Sequence, residues 1–289
     1  MTNVVKVLLR LFVRVARPYL RAHGLLQTAK IFNRSALVYK PASGKVVVLA
    51  PHMDDEVIGC GGTLARHVAC GAEVTVIFLT DGRQGGKVPP AEGPLEGTEI
   101  GAVRKLEAQR ALRELGVNKF AFLDAADGNL RAEVAGLAGK LREILQQIRP
   151  TVVYLPFFLE EHPDHRAASQ LLLEAMKGIN LSFDCHGYEV WTPLFPNCLV
   201  NIDDAIEIKK RSLIQYQSQL AEADYIHTAI GLNAYRSAAF LGGTCRYAEA
   251  FCALPVADYL DLYTAYSAGS EPTRSRRANG GDEDGRRLG

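Results

Sequence analysis

The sequence predicts an α/β fold, a doubly wound and mostly parallel sheet with helices on both faces. Three observations predict it. Short, largely apolar runs without a polar face recur at Val46–Ala50, within Glu73–Thr80 and at Val152–Leu155, the pattern of parallel strands covered on both sides. Helix-patterned stretches lie between them and stop at Gly71, Gly116 and Pro150, residue types that end helices. The order strand, helix, strand, helix is the rhythm of a doubly wound sheet.

Taken in order, residues 3–27 place Lys6, Arg10, Arg14, Arg17 and Arg21 within an arc of roughly 80° at about 100° per residue. A basic amphipathic helix, kinked at Pro18, is expected within an N-terminal extension over residues 1–40. Its charges recur every turn, so it has neither the apolar core of a secretory signal nor the run that spans a bilayer. It fits peripheral association of residues 3–25 with an anionic membrane, and equally a helix covering the domain or a partner chain. The main domain is expected over residues 44–265. Within it the pattern predicts strands at Lys45–Ala50, Glu73–Thr80, Lys119–Leu123 and Val152–Leu155. Helices are predicted to end with Leu64–Cys70 and to cover Thr98–Leu115, Leu137–Ile148 and Asp164–Met176, and Arg83–Gly97, rich in Gly and Pro, reads as a mobile loop. Tyr188–Leu194, with the only Trp, and Asn197–Ile202 read as strands, and Asp203-Asp204 as the cap of a helix to about Gln217. Residues 266–289 are charged and nearly free of apolar side chains, so a disordered tail is expected.

A chain of 289 residues with 48% hydrophobic content can bury a full core. Its net charge of +1 gives no global field for nucleic acid, and no nucleic-acid partner is expected. The six cysteines are scattered and read as reduced, mostly buried small hydrophobes of a cytoplasmic protein, with the cytoplasmic membrane face as a peripheral location. Cys60, four residues past a group of acids, reads as packing, with a thiol at a pocket wall as the alternative. An oligomer is compatible with the sequence.

The first strand empties into His52, Asp54, Asp55 and Glu56, followed by glycines. Ligands of open α/β sheets bind beyond the carboxyl ends of strands. Three carboxylates ahead of the glycines would repel a pyrophosphate and welcome a divalent cation. More than a hundred residues on, the strand at Val152–Leu155 leads to His162 and His165. Pro163 suits the first helical position, which puts His162 near the cap and His165 in the first turn, both able to face one crevice. Imidazoles plus a carboxylate, with one position left open, make up a catalytic zinc site.

These residues resemble the PIG-L-like (LmbE-like) family of zinc-dependent N-acetylglucosaminyl de-N-acetylases. The family's first motif, usually His-Pro-Asp-Asp-Glu, matches His52–Glu56 with Met53 in place of proline, and its second, His-Pro-Asp-His, matches His162–His165 in full. Gly61–Thr63, Thr80–Gly82, Arg104 with Glu107, Ser218-Gln219 and Ala248–Phe251 extend the likeness over roughly residues 44–255. The resemblance implies a Rossmann-like fold and a zinc-dependent removal of acetyl from an N-acetylhexosamine unit, possible on a lipid-linked glycoconjugate. It assigns His52, Asp55 and His165 to the metal, Zn²⁺ with Fe²⁺ or another divalent ion as alternatives. It makes Asp54 the base for the attacking water, and protonated His162 a stabiliser of the oxyanion, with Asp164 orienting His162 and raising its pKa. For the sugar it points to Arg104 and Asp127, and more weakly to Arg83.

Competing readings remain at this level. Acids near a helix start often only cap the helix, but a cap needs no distant His-Pro-Asp-His. Glu56 reads as structural, His67, His186 and His227 as surface or core histidines, and Arg104 with Glu107 as an i,i+3 pair. A metal-dependent phosphoesterase, holding two hard cations, is the enzymatic alternative. A glycan-binding protein with a structural metal is the non-catalytic one.

Overall fold

A computed structural model describes residues 37–86 and 99–270. The expected amphipathic helix over 3–27, most of the Arg83–Gly97 loop and the tail beyond Ser270 lie outside them. Along the chain come β1 (Leu37–Val38), β2 (Lys45–Ala50), α1 (Asp55–Ala69), β3 (Glu73–Thr80), α2 (Ile100–Glu114), β4 (Lys119–Ala125), α3 (Leu130–Ile148), β5 (Val152–Pro156) and α4 (Pro163–Met176). There follow β6 (Asp184–Tyr188), β7 (Cys198–Asn201), α5 (Ile206–Ile214), α6 (Gln217–Leu220), α7 (Tyr225–Leu241), β8 (Ala248–Pro255) and α8 (Val256–Ser270).

The strands form one sheet in the order β1-β7-β8-β6-β5-β2-β3-β4. All neighbours are parallel except β8, which runs antiparallel to both β6 and β7. The sheet is therefore mostly parallel and doubly wound, as the sequence predicts. Alternate residues of β2 supply two separate cores: Val47 and Leu49 face α3, α4 and α8, whereas Val46, Val48 and Ala50 face α1, α2 and α5. Burial on both faces is why that strand shows no polar alternation. Strand β2 pairs with β3 on one side (Val46 opposite Val74) and with β5 on the other (Val46 opposite Val152). The chain leaves β2 and β5 toward opposite parts of the sheet, which opens a crevice at their carboxyl ends.

The glycines after the acids serve packing. A Cβ on Gly59 would lie 2.2 Å from Tyr188 Cδ2, and one on Gly62 2.8 Å from Ile202 Cβ, so only glycine lets α1 approach this closely. Inside α1, Cys60 has φ −144°, and the helix breaks there. Glu249 of β8 accepts from the Gly62 and Thr63 amides at 2.9 and 2.7 Å, capping the second half, and is neutralised by Lys209 at 2.7 Å.

Several elements differ from expectation. The strand expected at Tyr188–Leu194 is β6, ending at Tyr188; Trp191 lies in the loop beyond. Strand β6 reads DCHGY and carries no β-branched residue. Its place is set by ladders to β5 and β8 rather than by its own pattern. Asp203 does not cap α5; its carboxylate accepts from the Arg246 and Tyr247 amides at 2.9 and 2.7 Å. Helices α7 and α8 had no signal, because their apolar residues run around the helix instead of forming a stripe. Helix α8 continues to Ser270, past residue 266 where the tail was expected to begin, and Leu37 and Val38 of the expected extension pair with β7. Five of the six cysteines are buried, Cys70 being exposed, and the Cys60 thiol donates to the Glu56 carbonyl at 3.2 Å. His67 and His186 are core residues and His227 is exposed. Among the described residues no helix is long and apolar enough to cross a membrane.

Candidate functional site

Strands β2 and β5 deliver the two motifs to the crevice between them. At the first, Asp54 has φ 139°, a conformation that L-residues rarely adopt and that costs about 1–3 kcal/mol. The turn is held by Arg104, whose Nη2 donates to the Met53 carbonyl at 3.0 Å and Nη1 to the Gly82 carbonyl at 3.2 Å. The Asp54 amide donates to Glu56 Oε2 at 3.2 Å, and the Tyr216 hydroxyl donates to Glu56 Oε1. At the second motif Pro163 is the first residue of α4 and His162 its cap, with Nδ1 accepting from the Asp164 amide at 3.2 Å.

The two motifs meet. His52 Nδ1 lies 3.3 Å from Asp55 Oδ2, His165 Nε2 lies 3.2 Å from the same oxygen, and the two nitrogens are 3.3 Å apart. Donors about 2.0–2.1 Å from a tetrahedral ion sit about 3.3–3.4 Å from one another. This near-equilateral triangle therefore has the edge length of one face of such a site. The outer nitrogens meet carboxylates: His52 Nε2 lies 3.1 Å from Asp127 Oδ1 and 3.3 Å from Asp164 Oδ2, and His165 Nδ1 lies 3.5 Å from Glu160 Oε2. Carboxylates on the far nitrogen fix the tautomer and aim the near lone pair at an ion.

The electrostatics agree. Burial alone would raise the Asp55 carboxyl, but the charges and hydrogen bonds of His165 and His52 hold it far below the usual range. Burial opposes charging of both rings, yet Asp127, Asp164 and Asp55 raise His52 well above its ordinary value, and Asp55 and Glu160 raise His165 to about 9. The pocket is built for positive charge. Asp54 behaves in the opposite way: burial, offset in part by Arg104 at 3.6 Å, pushes its carboxyl up to about 7. Burial pushes Glu56 up to about 8.

His52, Asp54, Asp55 and His162 open onto one cavity of about 290 Å³, whose rim carries Trp191, Glu222 and Tyr225. Arg104 and Asp127 also line it, but both are committed to protein partners: Asp127 Oδ2 accepts from the Gln84 amide at 2.9 Å while Oδ1 faces His52. Arg83 lies elsewhere. It pairs with Asp81 at 2.7 Å on the wall of a separate hollow with Glu99 and Lys105. The expected action of Asp164 on His162 is also corrected. The Asp164 carboxylate accepts from the Gly128 and Leu130 amides, at 2.7 and 3.0 Å, and faces His52; only its backbone amide reaches His162. The Asp164 charge does raise the His162 pKa, as expected, but burial, then the neighbouring His52 and His165, outweigh it and lower the value, and with Nδ1 accepting, the proton sits on Nε2 of a neutral ring. Glu107 does not turn to Arg104 but accepts from the Ser218 amide and hydroxyl at 2.8 and 2.6 Å.

Sequence reasoning missed Glu160. Its carboxylate accepts from the Val190, Trp191 and Thr192 amides at 2.6, 3.1 and 3.2 Å and faces His165. Its only local sign was its place between the end of β5 and His162.

Fold and donor set define an α/β protein with a candidate centre for a divalent cation at the switch point of its sheet. A family model described as PIG-L, GlcNAc-PI de-N-acetylase, matches residues 47–176. The chain is 31% identical over 194 residues to a diacetylchitobiose deacetylase of Thermococcus kodakarensis, covering 62% of this chain and 71% of that one. The chain belongs to the PIG-L family. It is 33% identical over 162 residues to the 1D-myo-inositol 2-acetamido-2-deoxy-alpha-D-glucopyranoside deacetylase of Streptomyces griseus, covering 48% of this chain but only 50% of the relative. Among solved structures, N,N'-diacetylchitobiose deacetylase from Pyrococcus horikoshii with its inhibitor MPG superposes with a TM-score of 0.65 at 26% identity, covering 82% of this chain and 93% of that one.

Proposed function

We propose that this protein is a metal-dependent amidohydrolase that removes the acetyl group from an N-acetylhexosamine (GlcNAc-type) unit of a glycoconjugate. One observation carries the reading: three donors at tetrahedral spacing, His52, Asp55 and His165, beside a carboxyl, Asp54, that opens with His52 and Asp55 into one cavity. Two imidazoles and one carboxylate suit Zn²⁺, which supplies Lewis acidity for water and for the amide carbonyl. Asp54 takes the proton of the attacking water, and Arg104 and the strained turn hold it in place for that. His162 keeps its proton and donates a hydrogen bond from Nε2–H to the carbonyl oxygen as charge develops there. Asp54, having accepted one proton, returns it to the departing amine. Asp127, Asp164 and Glu160 hold the ligand rings.

The cavity also argues against the phosphoesterase. Asp54, Asp127 and Glu222 line it, and among the described residues its one guanidinium, Arg104, is turned to backbone carbonyls. Beyond a bound cation the lining offers a phosphate dianion no free guanidinium or ammonium, whereas a neutral acetamide needs none.

The test is acetate and primary-amine release from N-acetylglucosamine, N,N'-diacetylchitobiose and lipid-linked N-acetylhexosamines, with metal analysis. One Zn²⁺ per chain, activity lost with chelator and regained with Zn²⁺, supports the proposal. Two ions per chain with phosphoester cleavage and no amine release would refute it. The basic stretch at residues 3–25 supports a membrane-proximal substrate; deleting residues 1–25 should reduce partition onto anionic vesicles, and unchanged partition refutes that extension.

A further inference from the structure

Trp191 is the chain's only tryptophan and, at 53% exposed, it is not a core residue. Its ring stands 5.6 Å from that of Tyr225 at 70°, so the two make a floor and a wall at the cavity rim. Glu222 completes the corner, and among the described residues its carboxylate has no hydrogen-bond or ion-pair partner.

This exposed corner is held firmly. Glu160 takes the amides of Val190, Trp191 and Thr192 and faces the ring of His165 with the same carboxylate. At the other end of the loop, Arg236 forms a two-pronged pair with Glu189 and donates to the Leu194 carbonyl at 2.9 Å. The Trp191 backbone is thus registered to the metal-ligand ring through one side chain. A half-exposed indole fixed in this way, at the mouth and not the floor of a catalytic cavity, is placed to touch what emerges from it.

We propose that Trp191, with Tyr225 and Glu222, forms a second sugar subsite: a platform for the pyranose or polyol ring joined through the glycosidic bond to the N-acetylhexosamine unit. It rests on the deacetylase reading for what fills the inner cavity. A pyranose with equatorial hydroxyls presents a face of C–H groups, which the negative face of an aromatic ring attracts. Its rim of hydroxyls can donate to an unpaired carboxylate such as Glu222. Trp191 is then a specificity-determining residue that touches the leaving unit's substituent, not the reacting amide.

The test compares N-acetylglucosamine with N,N'-diacetylchitobiose in Trp191→Ala and Trp191→Phe. Trp191→Ala should lower kcat/KM for the disaccharide by up to about tenfold more than for the monosaccharide, through KM, the loss expected of one aromatic contact. Trp191→Phe should recover most of it. Because the indole is unique, its emission reports directly on the site: titrating Asp54→Asn, which keeps Trp191, with the disaccharide should give a saturable shift that the monosaccharide does not match. Equal losses for both sugars, or unchanged emission while disaccharide binds by calorimetry, overturn the proposal. A saturable shift without acetate release from any N-acetylated sugar would uphold the platform and refute the deacetylase reading instead.

Discussion

Replacing Asp54 with Asn separates catalysis from stability, because the structure makes this carboxyl costly to fold. Burial raises it from the model-peptide value of 3.8 to about 7, despite Arg104. A carboxyl whose folded pKa is raised binds its proton more tightly in the folded chain, so folding weakens as pH rises through the interval between the two values. The cost is absent below about pH 4 and complete above about pH 7. A difference of about three units, at 1.36 kcal/mol each, makes it on the order of 4 kcal/mol. Asn keeps the shape and removes the titration. Metal-stripped Asp54→Asn should therefore be more stable than the parent at pH 8 by up to a few kcal/mol in urea melts, and the two should converge near pH 4. In the metal-loaded enzyme the same change should lower kcat about 10²–10⁴-fold, the usual worth of a general base, with metal content unchanged. A variant that keeps its kcat within threefold, or whose stability difference is the same at pH 4 and pH 8, would refute the assignment.

His186 makes the opposite pH prediction: burial, with His67 beside it, lowers it to about 3 and leaves Nδ1 without a hydrogen bond. The unfolded chain takes up this proton near pH 6.5 and the folded chain does not, so stability should fall as pH drops from about 6.5 to 3, at up to about 1.4 kcal/mol per unit. His186→Phe, among the rings of Tyr39, Tyr154 and Phe251, should flatten that slope in acid urea melts; an unchanged slope would refute it. Lys209→Met leaves Glu249 buried and unpaired and should cost about 3–5 kcal/mol by denaturant melt. Adding Glu249→Leu should not restore the loss, since the Gly62 and Thr63 amides then lose their acceptor. Gly59→Ala forces a methyl against Tyr188, which is fully buried and donates to the Leu49 carbonyl at 3.0 Å, and should cost about 1–3 kcal/mol. A melt within 0.5 kcal/mol of the parent, roughly the noise of surface changes, would show that the glycine is not needed for close packing.

What could be read from the sequence was what is local. Strands β2, β3 and β5 are buried on both faces and announce themselves as apolar runs, and their ends bring the two motifs to one crevice by the geometry of parallel sheets. Strand β6 could not be read, because DCHGY takes its place from ladders to β5 and β8. The partners of Asp164 and Glu160 were hidden for a related reason: the first caps the start of α3 through amides more than thirty positions away, and the second gathers amides thirty to thirty-two positions on. Backbone amides carry no residue-type signal. A carboxylate that serves distant amides looks in sequence like any surface acid.

The adjacent acids Asp54 and Asp55 show how one turn can supply two chemistries. Asp55 begins α1, and its Oδ2 accepts from the His52 amide at 2.8 Å and faces the His52 and His165 rings, so it is held ionised, as the proposed role of metal ligand requires. Asp54, one residue earlier at φ 139°, points away from that network toward Arg104 and the cavity, and burial makes it hold a proton to near neutrality, which suits the general base proposed for it. The positive φ of Asp54 sets its carboxyl toward Arg104 and the cavity while Asp55 turns to the two rings. Arg104 and Glu56 hold that turn, and both are buried without touching the triangle of donors.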